Sequence, residues 1–416
     1  MNQLERTKRK PEHASMSQFS STDNCLQIGG VALTTLAADM GDRAFYAYDR
    51  NVILKQLDKL RQELPADIRY HYAMKANPMP EVVNFLAQHC DGLDVASGGE
   101  LEVALASGID PRLISMAGPG KSESELALAI KHGITINMES EGEMARIAVL
   151  AETLKMRPRV AIRVNPDFEL KASGMKMAGG PKPFGVDAER VPEMLLALAQ
   201  LPLEFTGFHI FCGSQNLRSD AIIEAQTNTF ELAFRLARHA ATPVKSLNIG
   251  GGLGVPYFPG EARLELAAVS ENLTIQLQKA KLELPEAEIV MELGRYLVAE
   301  SGIYVSRVVD KKISRGETFL ITNGGLHHHL AASGNFGQVI RKNYPVCIGN
   351  CIVSEESELV NIVGPLCTPL DILSDKISLP KAEIGDLVVI FQSGAYGYTA
   401  SPHNFLSHPP PGEIFV

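Results

Sequence analysis

Apolar and aromatic residues cluster in short runs through the first three hundred residues of the chain, and longer amphipathic stretches separate these runs. Eight runs have the length and apolar content of strands, and they span residues 68–73, 92–95, 113–116, 134–138, 159–164, 205–211, 246–249 and 288–292. Most are continuously apolar rather than alternating, which is typical of a parallel sheet covered on both faces. The pattern therefore predicts parallel strands.

Helical periodicity fills the intervals between these strands. The predicted helices span residues 81–89, 100–106, 123–131, 141–154, 192–199, 222–238 and 265–282. Each predicted strand is followed or preceded by a helix, and eight such units favour a closed barrel over an open sheet. We expect an α/β fold built on a (β/α)8 barrel over residues 42–300.

The pattern changes after about residue 300. Strand-like runs at residues 304–309, 318–322, 359–363 and 387–391 are separated by turn-forming stretches instead of long helices. This predicts a C-terminal all-β domain over residues 301–416. Residues 25–48 also look strand-rich, and we assign residues 25–41 to the same domain. Residues 1–24 are polar and lack an apolar centre, so we expect a flexible tail there.

Composition narrows the class of protein. The 416 residues are 45% hydrophobic and 21% charged, as in ordinary globular domains, and the net charge of −9 argues against a nucleic-acid or anionic-membrane partner. No apolar run is long enough to span a membrane. Six scattered cysteines in a long chain without a secretory signal predict no disulfide framework and a cytoplasmic location.

Lys75 ends the apolar-aromatic run of the first predicted barrel strand, just before an Asn77-Pro78 break. Strand ends are where barrel enzymes keep their catalytic residues. A lysine that is partly desolvated there has a lowered pKa and becomes an amine nucleophile. The aldehyde that such a lysine most often holds is pyridoxal phosphate. The alternative is a lysine that merely ends a strand in solvent.

The ends of the last two predicted barrel strands would suit a phosphate-bearing cofactor. The run of residues 250–252, three glycines, lets backbone N–H groups close on a phosphate, although a tight loop explains it equally well. Glu292 ends the eighth strand and needs a cationic partner, which a protonated pyridine ring supplies. Arg295 is its alternative partner, or it reaches a phosphate or a substrate carboxylate.

Other strand ends carry further candidates. His209 could stack on a planar ring, although a hydrogen-bonded core histidine is the simpler interpretation, and Ser214 could donate to a phosphate. Asp94 and Arg163 also lie near strand ends, where a salt bridge or a helix cap explains them at least as well.

The predicted β domain has candidates of its own. Cys367 lies in a loop bounded by prolines and could be an acid, a nucleophile or structural. Tyr396 lies in a loop flanked by glycines. Residues 327–329 are three histidines, but in a strand only His327 and His329 would share a face, and no Cys-x-x-Cys or carboxylate partner lies nearby in sequence. We therefore predict no metal site.

Taken in order, these motifs resemble the diaminopimelate/ornithine decarboxylase family of pyridoxal-phosphate enzymes, the fold type III class. The resemblance runs from about residue 40 to the C-terminus, and its seven ordered motifs lie at residues 72–77, 94–101, 209–215, 250–252, 292–295, 364–367 and 394–396. It implies an alanine-racemase-like barrel, pyridoxal 5'-phosphate as the cofactor, and decarboxylation of an amino acid.

The resemblance also implies a role for each motif. Lys75 would carry the cofactor, His209 would stack on its ring, and Glu292 would pair with the pyridine nitrogen. Cys367 would come from the partner subunit of a head-to-tail homodimer and return a proton to the product. The remaining cofactor-binding residues would be Asp94, Arg163, Ser214, Gly250, Gly251, Gly252, Arg295 and Tyr396.

The chain departs from the diaminopimelate decarboxylases where those enzymes read the far end of the substrate. Thr368 stands where they have an acidic residue, so a distal ammonium group would lose a charged partner worth about 1.5–3 kcal/mol, unless Asp371 replaces it. The three histidines and an insertion that reaches Arg341 and Tyr344 replace their Asn-Asp-x-x-Arg-Pro segment. These features resemble a branch associated with polysaccharide-export gene sets and with decarboxylases of carrier-linked aminoacyl groups.

We therefore expect the substrate to be an amino acid or an aminoacyl group on a carrier protein. The expected substrate-binding residues are Arg295, Arg341, Tyr344, Thr368 and Asp371. The alternatives are a diaminopimelate decarboxylase that makes lysine, an amino-acid racemase, and a non-catalytic pyridoxal-phosphate carrier. Racemases that resemble alanine racemase have an arginine at the pyridine nitrogen, whereas this chain has Glu292, and the carriers lack a β domain.

Overall fold

The computed structural model describes residues 11–168, 175–176 and 179–416. The chain begins with β1 (Ser21–Thr22), β2 (Cys25–Ile28), β3 (Val31–Ala32), helix α1 (Leu33–Met40), β4 (Phe45–Tyr48) and helix α2 (Arg50–Glu63). Residues 1–10 of the expected tail lie outside the described residues. Residues 11–24 differ from that expectation, because Phe19 is buried and Nε2 of His13 lies 2.9 Å from the carbonyl oxygen of Asn343.

Strands and helices then alternate, as the apolar pattern predicts. In chain order they are β5 (Ile68–Ala73), a 3₁₀ turn (Met74–Ala76), α3 (Pro80–Ala87), β6 (Gly92–Val95), α4 (Gly98–Ala106), β7 (Ile114–Met116), α5 (Glu123–His132), β8 (Thr135–Met138), α6 (Glu141–Leu154), β9 (Arg159–Asn165), β10 (Met175–Lys176), β11 (Val186–Asp187), α7 (Val191–Leu198), β12 (Glu204–His209), β13 (Gly213–Ser214), α8 (Ser219–Ala237), β14 (Ser246–Asn248), α9 (Ala267–Glu283), β15 (Glu288–Leu293) and α10 (Arg295–Val298).

Eight of these strands close a parallel barrel. Their order around it is β5, β6, β7, β8, β9, β12, β14 and β15, and the pairing of β15 with β5 closes the ring. All eight correspond to predicted strands, with ends that differ by no more than two residues. The predicted (β/α)8 barrel is therefore confirmed, and the carboxyl ends of its strands meet at one face.

Small polar residues start the helices that cover the barrel. Asp49, Ser97 and Ser140 accept hydrogen bonds from backbone N–H groups in the first turns of α2, α4 and α6. Ser122 and Glu125 form a reciprocal capping box at α5. Such caps contribute about 1 kcal/mol each, and they fix where each helix begins.

The chain then enters a second sheet, which is mixed. Its strands are β16 (Gly302–Ser314), β17 (Glu317–Thr322), β18 (Val346–Ile348), β19 (Ser357–Val363), β20 (Ile372–Pro380), β21 (Leu387–Ile390) and β22 (Gly412–Phe415). The order is β18-β21-β16-β17-β19-β20, and β4 lies between β16 and β22. The β17–β19 and β22–β4 pairs are parallel, and the other pairs are antiparallel. The expected C-terminal β domain is present.

Parts of the second sheet differ from the sequence predictions. β4 lies within the range 42–300 expected for the barrel, but it is apolar on both faces and pairs with the start of β16. The stretch 25–48, expected to be strand-rich, also contains helix α1. β18 and β20 escape prediction because β18 has only three residues and β20 carries Asp375 and Lys376 in its middle.

Candidate active site

Lys75 lies in the 3₁₀ turn that follows β5, at the carboxyl end of the barrel. Asn77 fixes the chain just beyond it, because its side-chain amide donates to the carbonyl oxygen of Gly394 at 3.2 Å. The backbone N–H of Tyr396 donates to the carbonyl oxygen of Ala76 at 2.8 Å. The lysine is therefore held between the barrel and a loop that follows β21.

Glu292, near the end of β15, is the carboxylate partner of Lys75. The Nζ atom of Lys75 lies 3.5 Å from Oε1 of Glu292. The negative charge of Glu292 raises the pKa of Lys75, although burial opposes this. The expectation that desolvation lowers the pKa of Lys75 is therefore wrong for the lysine without a cofactor, because the nearby carboxylate outweighs the effect of burial.

His209 contacts the other oxygen of Glu292. Its Nε2 lies 3.1 Å from Oε2, and both side chains are buried. Neither ring nitrogen of His209 has a hydrogen-bond partner among the described residues, because the contact is close but poorly aligned. Burial disfavours the ionised form of Glu292, but Lys75, His209 and Arg163 together lower its pKa. This end of the barrel therefore holds an ionised carboxylate.

Asp94 and Arg163 lie in the barrel wall, each with a partner of its own. The Nη1 atom of Arg163 donates to Oε1 of Glu139 at 2.8 Å. Asp94 accepts a hydrogen bond from the Ser115 hydroxyl and lies 3.6 Å from Nδ1 of His71. The salt-bridge interpretation therefore holds for Arg163. A contact of either residue with a cofactor stays a prediction.

The three-glycine run forms a tight turn after β14 and packs against the backbone of β15. Gly250 and Gly252 have positive φ values of 67° and 80°. A Cβ atom on Gly251 would lie 2.1 Å from the carbonyl oxygen of Glu292, so no side chain fits there. The glycines thus allow main chain to approach Glu292 more closely than any other residue would.

A cavity of about 570 Å³ opens near this turn, and Ser214, Arg295, Tyr344 and Tyr396 are among the residues that line it. The Nη1 atom of Arg295 donates to the hydroxyl of Tyr257 at 2.9 Å, and its guanidinium carbon lies 4.7 Å from the centre of the Tyr396 ring. The buried Nε of Arg295 has no acceptor among the described residues. A guanidinium with an unused N–H is suited to bind an anion.

These groups fit pyridoxal phosphate. That cofactor needs an amine for its aldehyde, an anion for its pyridine nitrogen and donors for its phosphate. Lys75 and Glu292 provide the first two. The unpartnered nitrogens of His209 and Arg295 are buried donors that a bound molecule could satisfy.

The residues predicted to bind the substrate are brought together only in part. Arg295 and Tyr344 line the cavity, whereas Arg341, Thr368 and Asp371 are not among its lining residues. The buried guanidinium atoms Nε and Nη2 of Arg341 have no partner among the described residues, and burial lowers its pKa.

Asp371 has a different role from the expected one. It is buried, its Oδ1 accepts the N–H of Leu326 at 2.6 Å, and its Oδ2 accepts the N–H of Leu366 at 2.8 Å. Both carboxylate oxygens therefore fix backbone, and Asp371 does not line the cavity where it would have to replace the acidic group that is missing at Thr368. Cys367, on the same loop, is exposed and does not line the cavity.

The three histidines lie in a buried turn instead of a strand. His328 contacts the Tyr304 hydroxyl at 3.0 Å through Nδ1, and His329 contacts the Ser393 hydroxyl at 2.9 Å through Nε2. Burial lowers the pKa of His328 to about 4 and that of His329 to about 3. They therefore join β16 to the loop that follows β21 as neutral side chains.

Sequence reasoning missed several side chains that shape the site. Tyr257 and Phe258 line the cavity, and the ring of Phe211 lies 5.6 Å from the Lys75 amine. Glu139 holds Arg163 and also accepts the N–H of Gly185. Phe211 lies inside the motif at residues 209–215, and Tyr257 and Phe258 follow the three glycines by a few residues, so nearness to these motifs was the available signal.

Comparison with known proteins identifies the class to which this barrel and lysine site belong. Residues 50–299 match the family described as pyridoxal-dependent decarboxylase, pyridoxal binding domain. The chain therefore belongs to the pyridoxal-dependent decarboxylases, and it is an enzyme that uses pyridoxal phosphate to release CO2. The expectations for family, cofactor and reaction are confirmed.

Named relatives cover most of the chain. It is 38% identical to the L-glutamyl-[BtrI acyl-carrier protein] decarboxylase of Niallia circulans, over 89% of this chain and 88% of that protein. It is 32% identical to the diaminopimelate decarboxylase of Aquifex aeolicus, over 95% and 91%. The crystal structure of diaminopimelate decarboxylase from Helicobacter pylori complexed with L-lysine superposes with a TM-score of 0.82 at 28% identity, over 92% of this chain and 94% of that one.

Proposed function

We propose that the chain decarboxylates an amino acid whose side chain ends in an uncharged acyl linkage to a carrier protein. The observation that carries this proposal is the scarcity of carboxylate groups among the residues that line the cavity. Glu261 lines the cavity, but its Oε2 accepts the N–H groups of Tyr257 and Phe258 at 2.8 and 3.0 Å. Asp371 holds backbone N–H groups with both oxygens and does not line the cavity.

Glu261 is thus the one carboxylate among the described residues that line the cavity, and only its Oε1 is left without a backbone donor for a distal ammonium group to contact. Phe258, Phe336 and Ala331 instead offer apolar surface to an acyl chain. The similarity to a decarboxylase of a glutamyl group on an acyl-carrier protein supports the same substrate class.

Each residue of the proposed mechanism has one task. Bound pyridoxal phosphate supplies the electron sink that accepts the electron pair of the bond to the departing carboxylate. Lys75 would hold the cofactor through Nζ, Glu292 would keep a proton on the pyridine nitrogen, and His209 would support the ring. Asp94, Arg163, Ser214, Arg295, Tyr396 and the three glycines would hold the rest of the cofactor.

A proton must return to the carbon that loses CO2, and we assign this to Cys367 of a second copy of the chain. Within one chain Cys367 is exposed and lies outside the cavity that Arg295 and Tyr396 line. This supports a head-to-tail homodimer with shared sites. All six cysteines are unpaired, which supports action in the cytoplasm, and no helix in the described part of the chain is long and apolar enough to cross a membrane.

A CO2-release assay tests the substrate class. Purified holoenzyme is given diaminopimelate, ornithine, lysine, arginine and glutamate, each free, and glutamate attached to an acyl-carrier protein. We expect release from the carrier-linked glutamyl group and little from the free diamino acids. Preferential release of CO2 from diaminopimelate would reject the proposed substrate class. Release from none of the compounds would reject it as well.

A further inference from the structure

A column of polar side chains runs through the barrel interior beneath Glu292. The Ser115 hydroxyl donates to Oδ1 of Asp94, and the Asn137 side-chain amide donates to the Ser115 hydroxyl at 3.2 Å. Nδ1 of His71 lies 3.6 Å from the same oxygen of Asp94. Barrel interiors are usually filled by branched apolar residues, so this column calls for a separate explanation.

The fold makes room for His71 in particular. His71 pairs with Gly92 across β5 and β6. A Cβ atom at position 92 would lie 2.4 Å from Nε2 of His71 and 2.5 Å from the carbonyl oxygen of Leu113. The imidazole therefore occupies the space that any side chain at position 92 would need.

His71 also reaches a second cavity, on the opposite side of the barrel from Lys75. This cavity has a volume of about 460 Å³ and is lined by residues at the starts of barrel strands, among them Ser115, Asn137 and Thr206. The exposed side chain of Arg112 lies at its rim. A polar cavity of this size holds water, which gives the imidazole a path for proton exchange that avoids the substrate side.

Carboxylates on several elements act on the His71 ring through their charge. Asp94 lies on β6, Asp91 precedes that strand, and Glu292 stands opposite His71 in the pairing of β15 with β5. Burial disfavours the imidazolium, but these three carboxylates outweigh it and raise the pKa of His71. Glu292 also contacts Lys75 and His209, and the positive charge of Arg163 acts on it.

We propose that His71 is a positioning residue. Its protonated ring lies between Asp94 and Glu292, so that both carboxylates stay ionised inside the barrel. It exchanges this proton with water in the cavity at the strand starts, and it acts on the cofactor only through Glu292. This rests on the proposed pairing of Glu292 with the pyridine nitrogen. Loss of the imidazolium leaves two facing carboxylates, and Glu292 then takes up a proton more easily.

The test compares wild-type holoenzyme with His71→Asn between pH 5 and pH 9. His89→Asn is the matched control, because His89 lies just past α3, where its ring contacts Phe85. The two measurements are the thermal midpoint and the dissociation constant of pyridoxal phosphate. His71→Gln serves if the asparagine variant does not fold.

The sign of the stability effect follows from the raised pKa of His71. Its contribution is complete below the unfolded pKa of about 6.5 and is lost as the pH rises through the folded value. The difference in thermal midpoint between wild type and His71→Asn should therefore be largest in acid. The variant should also bind pyridoxal phosphate more weakly in acid, by about tenfold for each unit by which the pKa of Glu292 rises.

Equal effects of His71→Asn at every pH would overturn the proposal and leave His71 as a space-filling residue. The same pH dependence in His89→Asn would overturn it as well. Neither measurement uses a substrate, so failure of the CO2-release assay would not be confused with failure of this proposal.

Discussion

Three side chains at the carboxyl end of the barrel form one electrostatic unit. Lys75 and His209 contact opposite oxygens of Glu292, at 3.5 and 3.1 Å. The carboxylate is thus kept ionised in a buried position, where a lone carboxylate would be protonated. An ionised carboxylate is the state that the proposed mechanism needs, because it would hold a proton on a pyridine nitrogen.

The substitution Glu292→Gln should lower kcat by a factor of about 10² to 10³, which is the usual cost of removing one preorganised electrostatic group. The glutamine keeps the shape but loses the charge. The cofactor absorbance at saturating pyridoxal phosphate should remain, because Lys75 is intact. A single-turnover CO2 measurement checks the rate, and an unchanged rate would remove Glu292 from the proposed mechanism.

Gly251 is a second position where a single residue controls the site, because no side chain fits there. Gly251→Ala would place a methyl group 2.1 Å from the carbonyl oxygen of Glu292, so the turn must shift. We expect weaker binding of pyridoxal phosphate and a lower thermal midpoint. Gly142→Ala is the matched control, because position 142 lies in the first turn of α6, where an added Cβ atom would have its nearest contact at 3.8 Å, with the Ser140 hydroxyl oxygen. Equal cofactor affinity in the two variants would contradict the prediction.

At the scale of elements, it is loops of the second sheet, not its strands, that approach the end of the barrel where Lys75 lies. The Asp371 carboxylate ties the loop that carries Cys367 to the turn that begins the three histidines. The hairpin between β16 and β17 is made by Arg315 and Gly316, both with positive φ, as the predicted turn requires. The second sheet therefore carries the loops that approach the barrel.

Asp371→Asn should release the loop of Cys367. One of the two backbone N–H groups would face an amide NH2 group, and a buried unsatisfied donor costs about 1–3 kcal/mol. Urea unfolding should show this loss, together with a lower rate of product formation. Asp375→Asn is the control, since Asp375 is exposed on β20. If both variants were equally stable, the loop would not depend on this carboxylate.

At the scale of the whole molecule, the proposed sharing of sites between two copies makes a sharp prediction. Lys75→Ala and Cys367→Ala should each be nearly inactive alone. A mixture that exchanges subunits should recover about 25% of wild-type activity, because half of the twofold dimers are mixed and each has one intact site. Recovery depends on head-to-tail geometry.

The control for this experiment is the oligomeric state. Sedimentation must show dimers for both variants, and differently tagged subunits must copurify after mixing. Copurification without recovery of activity would reject the sharing of sites, and a monomeric wild type would reject the dimer itself.

The sequence by itself determined the barrel and the class of chemistry, and it singled out Lys75 as the proposed cofactor lysine. Continuous apolar runs separated by amphipathic stretches leave few folds that bury both faces of a parallel sheet, and Lys75, the glycine turn and Glu292 each mark a strand end. These features are local in sequence, so a linear pattern is enough to find them.

Only the tertiary structure decided what those side chains meet. The pKa of Lys75 is raised rather than lowered because Glu292, 217 residues away, lies 3.5 Å from it. Asp371 is structural because the backbone amide of Leu326, 45 residues away, and that of Leu366, in its own loop, donate to its two oxygens. β4 leaves the barrel because its partner β16 follows some 250 residues later. Charges, hydrogen-bond acceptors and strand partners are set by contacts across the fold, and these do not appear in any local pattern.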